Sequence, residues 1–386
     1  MSRTSRGSRV AAILAAAALG LSACGGTSND SGSTSSSAGT QAACDLKIGF
    51  MGAETGPAAG LGINIEKGVE LALDQYNQDN PDCQVQEEQY DTQGDPTQAG
   101  PLARGAVSDD KVIGIVGPAF SGESAAVDPT FAEAGLPTIT ASATDPTLSE
   151  QGWDTFFRIL GNDATQGPAA AAYIQDKIKS TKVFVMDDAT PYGKGLADQV
   201  RDTLGNSVVG NDEVQTGQTD FSASVTAVGA SGADTLFYGG YYPEAGPLIK
   251  QLRAANWKGT FVTADGVKDP GFVEAAGKAA ADGTIITCPC IPPEQASGTF
   301  FDDYKAKFHV DPGTYGAEAY DATNVFLAGI KSGIDTRPAM LDFVTNYNAK
   351  GVTKDIAWTA NGESKDIHVY AYKVENGEIV FQSQIK

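Results

Sequence analysis

The chain has 386 residues, with 27 Lys and Arg against 48 Asp and Glu and a formal net charge of −21. So acidic a balance argues strongly against nucleic acid as a partner and matches anionic lipid poorly. The first 43 residues do not read as folded, and the roughly 340 that remain are long for one core and comfortable for two domains.

The chain opens with Arg3, Arg6 and Arg9, then an apolar run over residues 10–21, then Ser22-Ala23-Cys24. The run is too short to span a bilayer as a mature helix, and this order of basic, apolar and small residues is that of an export signal. Leu19-Gly20-Leu21-Ser22-Ala23-Cys24 resembles a lipobox. Residues 1–23 would then be a signal peptide, and Cys24 would carry lipid and become the first mature residue. The alternative is an ordinary secretory peptide with a chance cysteine. Several acyl chains would anchor durably, at roughly 0.8 kcal/mol per buried methylene. Residues 24–43 follow as a tether of Gly, Ser, Thr and Ala with too little apolar surface to fold. Without the three leader arginines, 24 basic residues face 48 acidic ones, so the link to the membrane must be the anchor.

Strand and helix then alternate almost to the end. Residues 46–50 read as a first strand and 63–77 as a helix, apolar at Ile65, Val69, Leu71, Leu73 and Tyr76. A second strand is expected at 85–90, a helix at 97–109, a strand at 111–117, a helix at 121–133 with a serine at its start, and a strand at 136–140. The rhythm continues with a helix at 167–179, a strand at 182–186 and helices at 193–204 and 219–230. A strand at 235–238, a helix at 244–255, a strand at 261–263 and a helix at 271–279 follow. Residues 284–293 break the pattern, with two prolines after Cys290, and predict a passage between domains. Helices are expected at 300–308, 317–331 and 338–348, then a closing hairpin of 367–373 and 378–381 around Asn376-Gly377. Apolar strands separated by helices imply an α/β fold: two Rossmann-like lobes, mostly parallel sheets, and a cleft between them. Ligands in such sheets sit beyond the carboxyl ends of the strands.

Five cysteines leave an even set if Cys24 carries lipid, as an oxidising compartment favours. Cys44 opens the first strand and Cys83 precedes the second, so neighbouring parallel strands would bring them together as a disulfide. Cys288 and Cys290 could form a bond across one residue, closing a small ring; free thiols or a metal pair are the alternatives. His309 and His368 are the only histidines and neither has a ligand spacing, so no metal and no cofactor are expected.

Several strand ends carry polar groups. Ser121 begins a helix after one strand, where free amide donors favour an anion, and Ser142 and Thr144 lie just past the next strand. Together they could hold a carboxylate from two sides, or they could be helix caps and turn formers. In the second half, Asp187-Asp188-Ala189-Thr190-Pro191-Tyr192, the run from Tyr238 to Glu244, and Asp265 stand at comparable ends. A carboxylate such as Asp265 with tyrosine beside it suits an ammonium group, though the tyrosines could simply pack and Asp265 cap a turn. Enzymatic motifs are missing: Gly193-Lys194-Gly195 lacks a third glycine, and neither a phosphate loop nor a nucleophile elbow is present. Neither histidine is near a plausible nucleophile, which argues against an enzyme.

With these residues in view, the chain resembles the Leu/Ile/Val-binding family of solute-binding lipoproteins of ABC transporters. The resemblance runs from Asp45 to the end. It is carried by Gly56-Pro57, Tyr90-Asp91, Asp95-Pro96, Ser142-Ala143-Thr144-Asp145-Pro146, Phe157-Arg158, Gly167-Pro168, Tyr192-Gly193-Lys194-Gly195, the run Tyr238–Glu244 and Tyr315-Gly316-Ala317 with Ala319-Tyr320-Asp321-Ala322.

The resemblance implies a type I periplasmic-binding-protein architecture with three interlobe crossovers. Residues 44–162 and 289–357 would form one lobe, and 163–288 and 358–386 the other. Ser121, Ser142 and Thr144 match positions that hold the ligand α-carboxylate and part of its ammonium. Tyr192 and Tyr241 match the far-lobe contacts, and Asp265 matches the acid that pairs with the ammonium, where the family often has glutamate. Leu61 falls where an aromatic often lines the side-chain pocket. Phe120 replaces a cysteine and Gly94 its disulfide partner. Ala141 and Tyr315 would complete the wall, while the direction of Glu123 and Glu318 stays open. The implied function is capture of an amino acid, branched-chain or aliphatic, for delivery to an ABC permease by a monomer held outside the cytoplasm by its lipid. Alternatives are transport of another small carboxylate or amide, or a ligand-sensing receptor module.

Overall fold

The computed structural model describes residues 45–385. The lipobox with Cys24, the tether and Cys44 lie outside the described residues. The first sheet is built from β1 (Leu46–Gly52), α1 (Ala59–Asp79), β2 (Val85–Asp91), α2 (Pro96–Ser108), β3 (Val112–Val116), α3 (Ser121–Glu133), β4 (Thr138–Thr140) and β5 (Phe156–Arg158). Its strand order is β2-β1-β3-β4-β5, every pair parallel. Local chemistry places the elements. All of β3, Val-Ile-Gly-Ile-Val, is buried, as a strand covered on both faces must be. Helix α1 buries Leu61, Ile65, Val69, Ala72, Leu73 and Tyr76 at three- and four-residue spacing. Asp95 caps α2 by accepting from Thr97 N, with Pro96 in the first turn.

The second sheet takes β6 (Val183–Asp187), β7 (Val208–Glu213), β8 (Thr235–Gly239), β9 (Thr260–Thr263) and β10 (Ile285–Cys288). Between and before them run α4 (Asp163–Tyr173), α5 (Pro191–Leu204), α6 (Ser222–Ser231), α7 (Tyr242–Ala254), α8 (Pro270–Ala276) and α9 (Lys278–Ala281). The chain then returns to the first lobe as α10 (Phe300–Phe308), α11 (Gly316–Lys331), α12 (Arg337–Thr345) and a small antiparallel pair, β11 (Asn348–Lys350) and β12 (Asp355–Ala357). It ends on the second sheet as the hairpin β13 (Val369–Glu375) and β14 (Glu378–Ile385). The order is β14-β13-β10-β9-β8-β6-β7. β6 to β10 pair in parallel, and β13 and β14 add antiparallel.

The five parallel strands of each lobe share one order. The first strand lies between the second and the third, so the connections diverge on either side of it. Such a switch point opens a crevice beyond the strand ends. The chain passes between the sheets three times: after β5, after β10, and between β12 and β13. These are the two α/β lobes, parallel sheets and crossovers that the alternation of elements implied. Helix α11 packs along α1, close enough that a Cβ on Gly68 would strike the Gly316 carbonyl.

Some elements differ from the sequence expectation. Residues 285–288, expected within a crossing, are the buried strand β10, and the crossing begins only at Pro289. Strand β7 gave no signal, because it is an edge strand whose residues alternate between half-buried and exposed and end in Asn211, Asp212 and Glu213. Helix α4 starts at Asp163 rather than 167 and continues as a π-helical turn over Ile174–Ile178. Cys288 and Cys290 are joined as a disulfide. Among the described residues no helix is long and apolar enough to cross a membrane.

Candidate ligand-binding cleft

The first wall of the cleft comes from the ends of β3 and β4. Phe120 precedes α3, and its N–H donates to Glu123 Oε2 at 3.2 Å while Glu123 Oε1 accepts from the Thr92 hydroxyl. Glu123 is therefore a brace beneath the loop. Burial pushes its carboxyl up to about 8. Ser121 Oγ accepts from Thr144 N and Asp145 N, each at 3.2 Å. A serine hydroxyl has two acceptor sites and one proton, so the Ser121 proton remains to be donated elsewhere. Ser142 Oγ donates to the Ala119 carbonyl at 2.6 Å. Thr140 Oγ1 accepts from Ala143 N at 3.0 Å and donates to the Pro118 carbonyl at 2.8 Å, fixing the turn. Thr144 is fully buried, with its hydroxyl beside the buried carboxyl of Asp163.

The second wall comes from the ends of β6, β8 and β9. Thr190 caps α5 by accepting from Gly193 N at 2.9 Å, which sets Tyr192 in the first turn. Asp188 accepts from Thr190 N at 3.0 Å, the Thr190 hydroxyl at 2.6 Å and Tyr241 N at 3.1 Å. Asp265 is buried and collects three neutral donors: Gln166 Nε2 at 2.6 Å, the Tyr192 hydroxyl at 3.0 Å and the Tyr315 hydroxyl. Burial raises its carboxyl above the ordinary value, and the bonds from Tyr315, Gln166 and Tyr192 oppose that rise. Tyr192 also accepts from Gly266 N at 3.0 Å. A Cβ on Gly266 would lie 2.8 Å from the Tyr192 ring, so only glycine allows that approach. Tyr315 reaches across from the start of α11 with φ +69, a left-handed backbone rare outside glycine and concentrated at functional positions.

Between the walls lies a small cavity lined by Leu61, Ile65, Ala119, Phe120, Ser121, Ser142, Tyr192, Tyr241 and Tyr315. Its free volume is ≈ 10 Å³, barely room for one water. Phe120 and Tyr241 meet edge to face at 5.2 Å, and Tyr241 packs on Tyr192 at 5.0 Å, joining the two lobes by aromatic contact.

Seven of the ten residues proposed from sequence line this cavity. Asp265 stands behind the tyrosines, Thr144 is buried beside Asp163, and Ala141 is buried without lining the space. Glu318 does not reach the cleft either, since it accepts Ile291 N at 2.7 Å in the second crossing. Sequence reasoning missed Ile65 and Ala119 in the lining, and Gln166 beside Asp265. Ile65 had a signal, lying one helical turn from Leu61 on the same face. Gln166 had none, because only the fold brings α4 under the end of β9. Neither wall presents an activated nucleophile, and among the described residues no group of three His, Cys, Asp or Glu could hold a metal ion.

Comparison with known proteins gives this geometry a lineage. Residues 45–378 match the family model described as periplasmic binding protein. The chain is 32% identical to the Leu/Ile/Val-binding protein BraC3 of Rhizobium johnstonii over 344 residues, covering 87% of this chain and 93% of that one. It is 31% identical to the Leu/Ile/Val-binding protein of Escherichia coli K12 over 331 residues, covering 83% and 88%. Among solved structures, the leucine binding protein LivK of Thermotoga maritima superposes with a TM-score of 0.82 at 26% identity, covering 88% of this chain and 99% of that one. The branched-chain amino acid transporter substrate binding protein LivJ of Streptococcus pneumoniae, in complex with isoleucine, gives 0.82 at 28% identity with the same coverage. The chain belongs to the periplasmic binding protein family, with the type I fold, and is an extracytoplasmic, non-catalytic solute-binding protein homologous to the Leu/Ile/Val-binding proteins of ABC importers.

Proposed function

We propose that this protein captures an amino acid, branched-chain or aliphatic, between its lobes and delivers it to its ABC permease. The observation that carries this reading is the opposed chemistry of the two walls. Ser121 keeps a proton to donate from one wall, and Asp265 accepts on the other. An amino acid has an anion and a cation separated by one carbon, so it would satisfy both at once. Leu61, Ile65 and Phe120 then give its side chain an apolar place. Relatives named for leucine, isoleucine and valine support the same class.

In this reading Ser121 and Ser142 receive the ligand on the open first lobe, with Thr144 and Ala141 supporting that wall from behind. Closure about the crossings brings Tyr192, Tyr241 and Asp265 over it, a hinge motion of the kind two-lobed binding proteins use. The first lobe is residues 44–162 and 289–357, and the second is 163–288 and 358–386. The protein works as a monomer, since the cleft must open and one face must meet the permease. Lipid on Cys24 holds it at the outer face of the membrane, and a Cys44–Cys83 disulfide ties down the start of the first lobe.

The test is calorimetric titration of the mature chain against the proteinogenic amino acids, after unfolding and refolding to strip carried-over ligand. Micromolar or tighter binding of leucine, isoleucine or valine is expected. A folded sample that binds none of them would remove Asp265 from its ammonium role and point to a solute that is not an amino acid.

A further inference from the structure

We propose that Arg158 and Glu363 are positioning residues for the carboxylate-binding wall, and that they fasten its loop to the third interlobe crossing. The inference rests on the amino-acid reading above. Arg158 ends β5 and heads the fully buried side chains in volume. Its Nε and Nη2 donate to the two oxygens of Glu363 at 3.1 and 2.5 Å, a fork on a carboxylate. Its Nη1 donates at 2.8 Å to both the Ala143 and the Asp145 carbonyls. The carbonyl between them, Thr144 O, accepts from Asp163 N at 2.9 Å.

Of three successive carbonyls of the loop, two are thus held by Arg158 at the end of β5 and the middle one by Asp163 N, where the first crossing enters α4. The N–H groups of Thr144 and Asp145 are left for Ser121 Oγ. Those two bonds are what free the Ser121 proton for a ligand oxygen. Glu363 lies in the third crossing, where Gly362 O also accepts Arg158 N at 2.9 Å. Gly362 has φ +78, and a Cβ there would strike the Phe156 carbonyl, so glycine is what lets this crossing lie against β5. One guanidinium at the end of β5 thus joins the loop to the third crossing, and Asp163 N joins the same loop to the first.

A buried ion pair is weak evidence for stability, because desolvation offsets most of its attraction. A pair serving only the core would not need two bonds to the loop that presents Ser121. The geometry points instead to alignment of the loop, tied to the segments that bend when the lobes move.

The experiment uses the mature chain with Glu363→Gln and, separately, Arg158→Lys. Lysine carries the charge but cannot make the fork and both carbonyl bonds together. Affinities for leucine and for leucinamide are measured beside thermal unfolding. Leucinamide keeps the ammonium and the side chain but lacks the anionic carboxylate. Wild type is expected to prefer leucine, and each folded variant to lose about tenfold of that preference with little change for leucinamide. If Arg158→Lys does not fold, Glu363→Gln carries the comparison. Variants that melt earlier yet keep the full preference overturn the inference and leave the pair a core contact. A wild-type chain that binds neither compound overturns the amino-acid reading, and the inference with it.

Discussion

The two walls of the cleft are built by the same topology and present opposite chemistry. In both lobes the loops follow parallel strands either side of a switch point. The first-lobe wall offers hydroxyls and backbone dipoles without a formal charge at the cavity. The second-lobe wall offers one buried carboxylate screened by phenols and an amide. A wall of dipoles holds an anion with little desolvation, since the donors are already fixed by the fold. A buried carboxylate gains most from a cation that enters with the lobes closed. In the proposed reading the fold fixes where a ligand binds, and the residues at the strand ends fix which end of it faces which lobe.

The largest effect should come from the charged wall. Asp265→Ala is expected to weaken amino-acid binding tenfold or more, about 1.4 kcal/mol at the least, because it removes the cation's partner and strands the Tyr315, Tyr192 and Gln166 donors. Calorimetry on the variant decides it, and unchanged affinity would refute the ammonium role. Ser121→Ala is expected to weaken binding by less, roughly several-fold to tenfold, since one hydrogen bond contributes about 0.5–1.5 kcal/mol net. It also leaves Thr144 N and Asp145 N without an acceptor. If the two variants lose equally for an amino acid and for its amide, the division of labour between the walls is wrong.

How much of this was legible in the sequence follows the same division. The first wall was readable because strand, short polar loop and capped helix lie together in the chain, as around Ser121 and Ser142. The second wall was readable as residues but not as a network. Asp265 could be picked out as a candidate partner for an ammonium, while Gln166, 99 residues away, reaches it only through the fold. Strand β7 was missed because an edge strand with polar, exposed positions carries no apolar run. β10 was hidden by the prolines that follow it. Arg158 appeared in the sequence only as part of Phe157-Arg158, and nothing local says that an arginine there will be fully buried.

A smaller effect is expected at the aromatic seam. Phe120 meets Tyr241 at 5.2 Å and lines the cavity where an apolar side chain would rest. Phe120→Ala should change the order of preference among leucine, isoleucine and valine by roughly a few-fold, since one buried methylene is worth about 0.8 kcal/mol. Dependence on the α-carboxylate and ammonium should persist. A variant that loses all three ligands alike would mean that Phe120 supports the first wall rather than the side-chain pocket.

The smallest effect concerns what holds each wall in shape. Each is braced by a buried acid: Glu123 under Phe120, pushed up to about 8 by burial, and Asp188 under Tyr241, pushed up to about 6 by burial. For both, the folded state keeps a proton that the unfolded chain releases near its ordinary value of about 4. Their contribution to stability is therefore full below that value and is lost as pH rises through the folded pKa. The Asp188 part is gone soon above about pH 6, while the Glu123 part fades only through about pH 8. Glu87, pushed up to about 8, and Glu66, to about 7, act in the same sense, whereas Lys268, pushed down to about 8, acts in the opposite one. These remain in any Glu123 variant, so the difference between wild type and Glu123→Gln isolates the first wall. Melting temperatures followed from about pH 6 to about pH 9 should fall less steeply in Glu123→Gln than in wild type. Glutamine can accept from Phe120 N with its oxygen and donate to the Thr92 hydroxyl with its amide nitrogen, so the loop should stay in place while its titration disappears. Parallel slopes would mean that Glu123 is ionised in the fold, and that the first wall carries a buried negative charge after all, against the dipole character on which its contrast with the second wall depends.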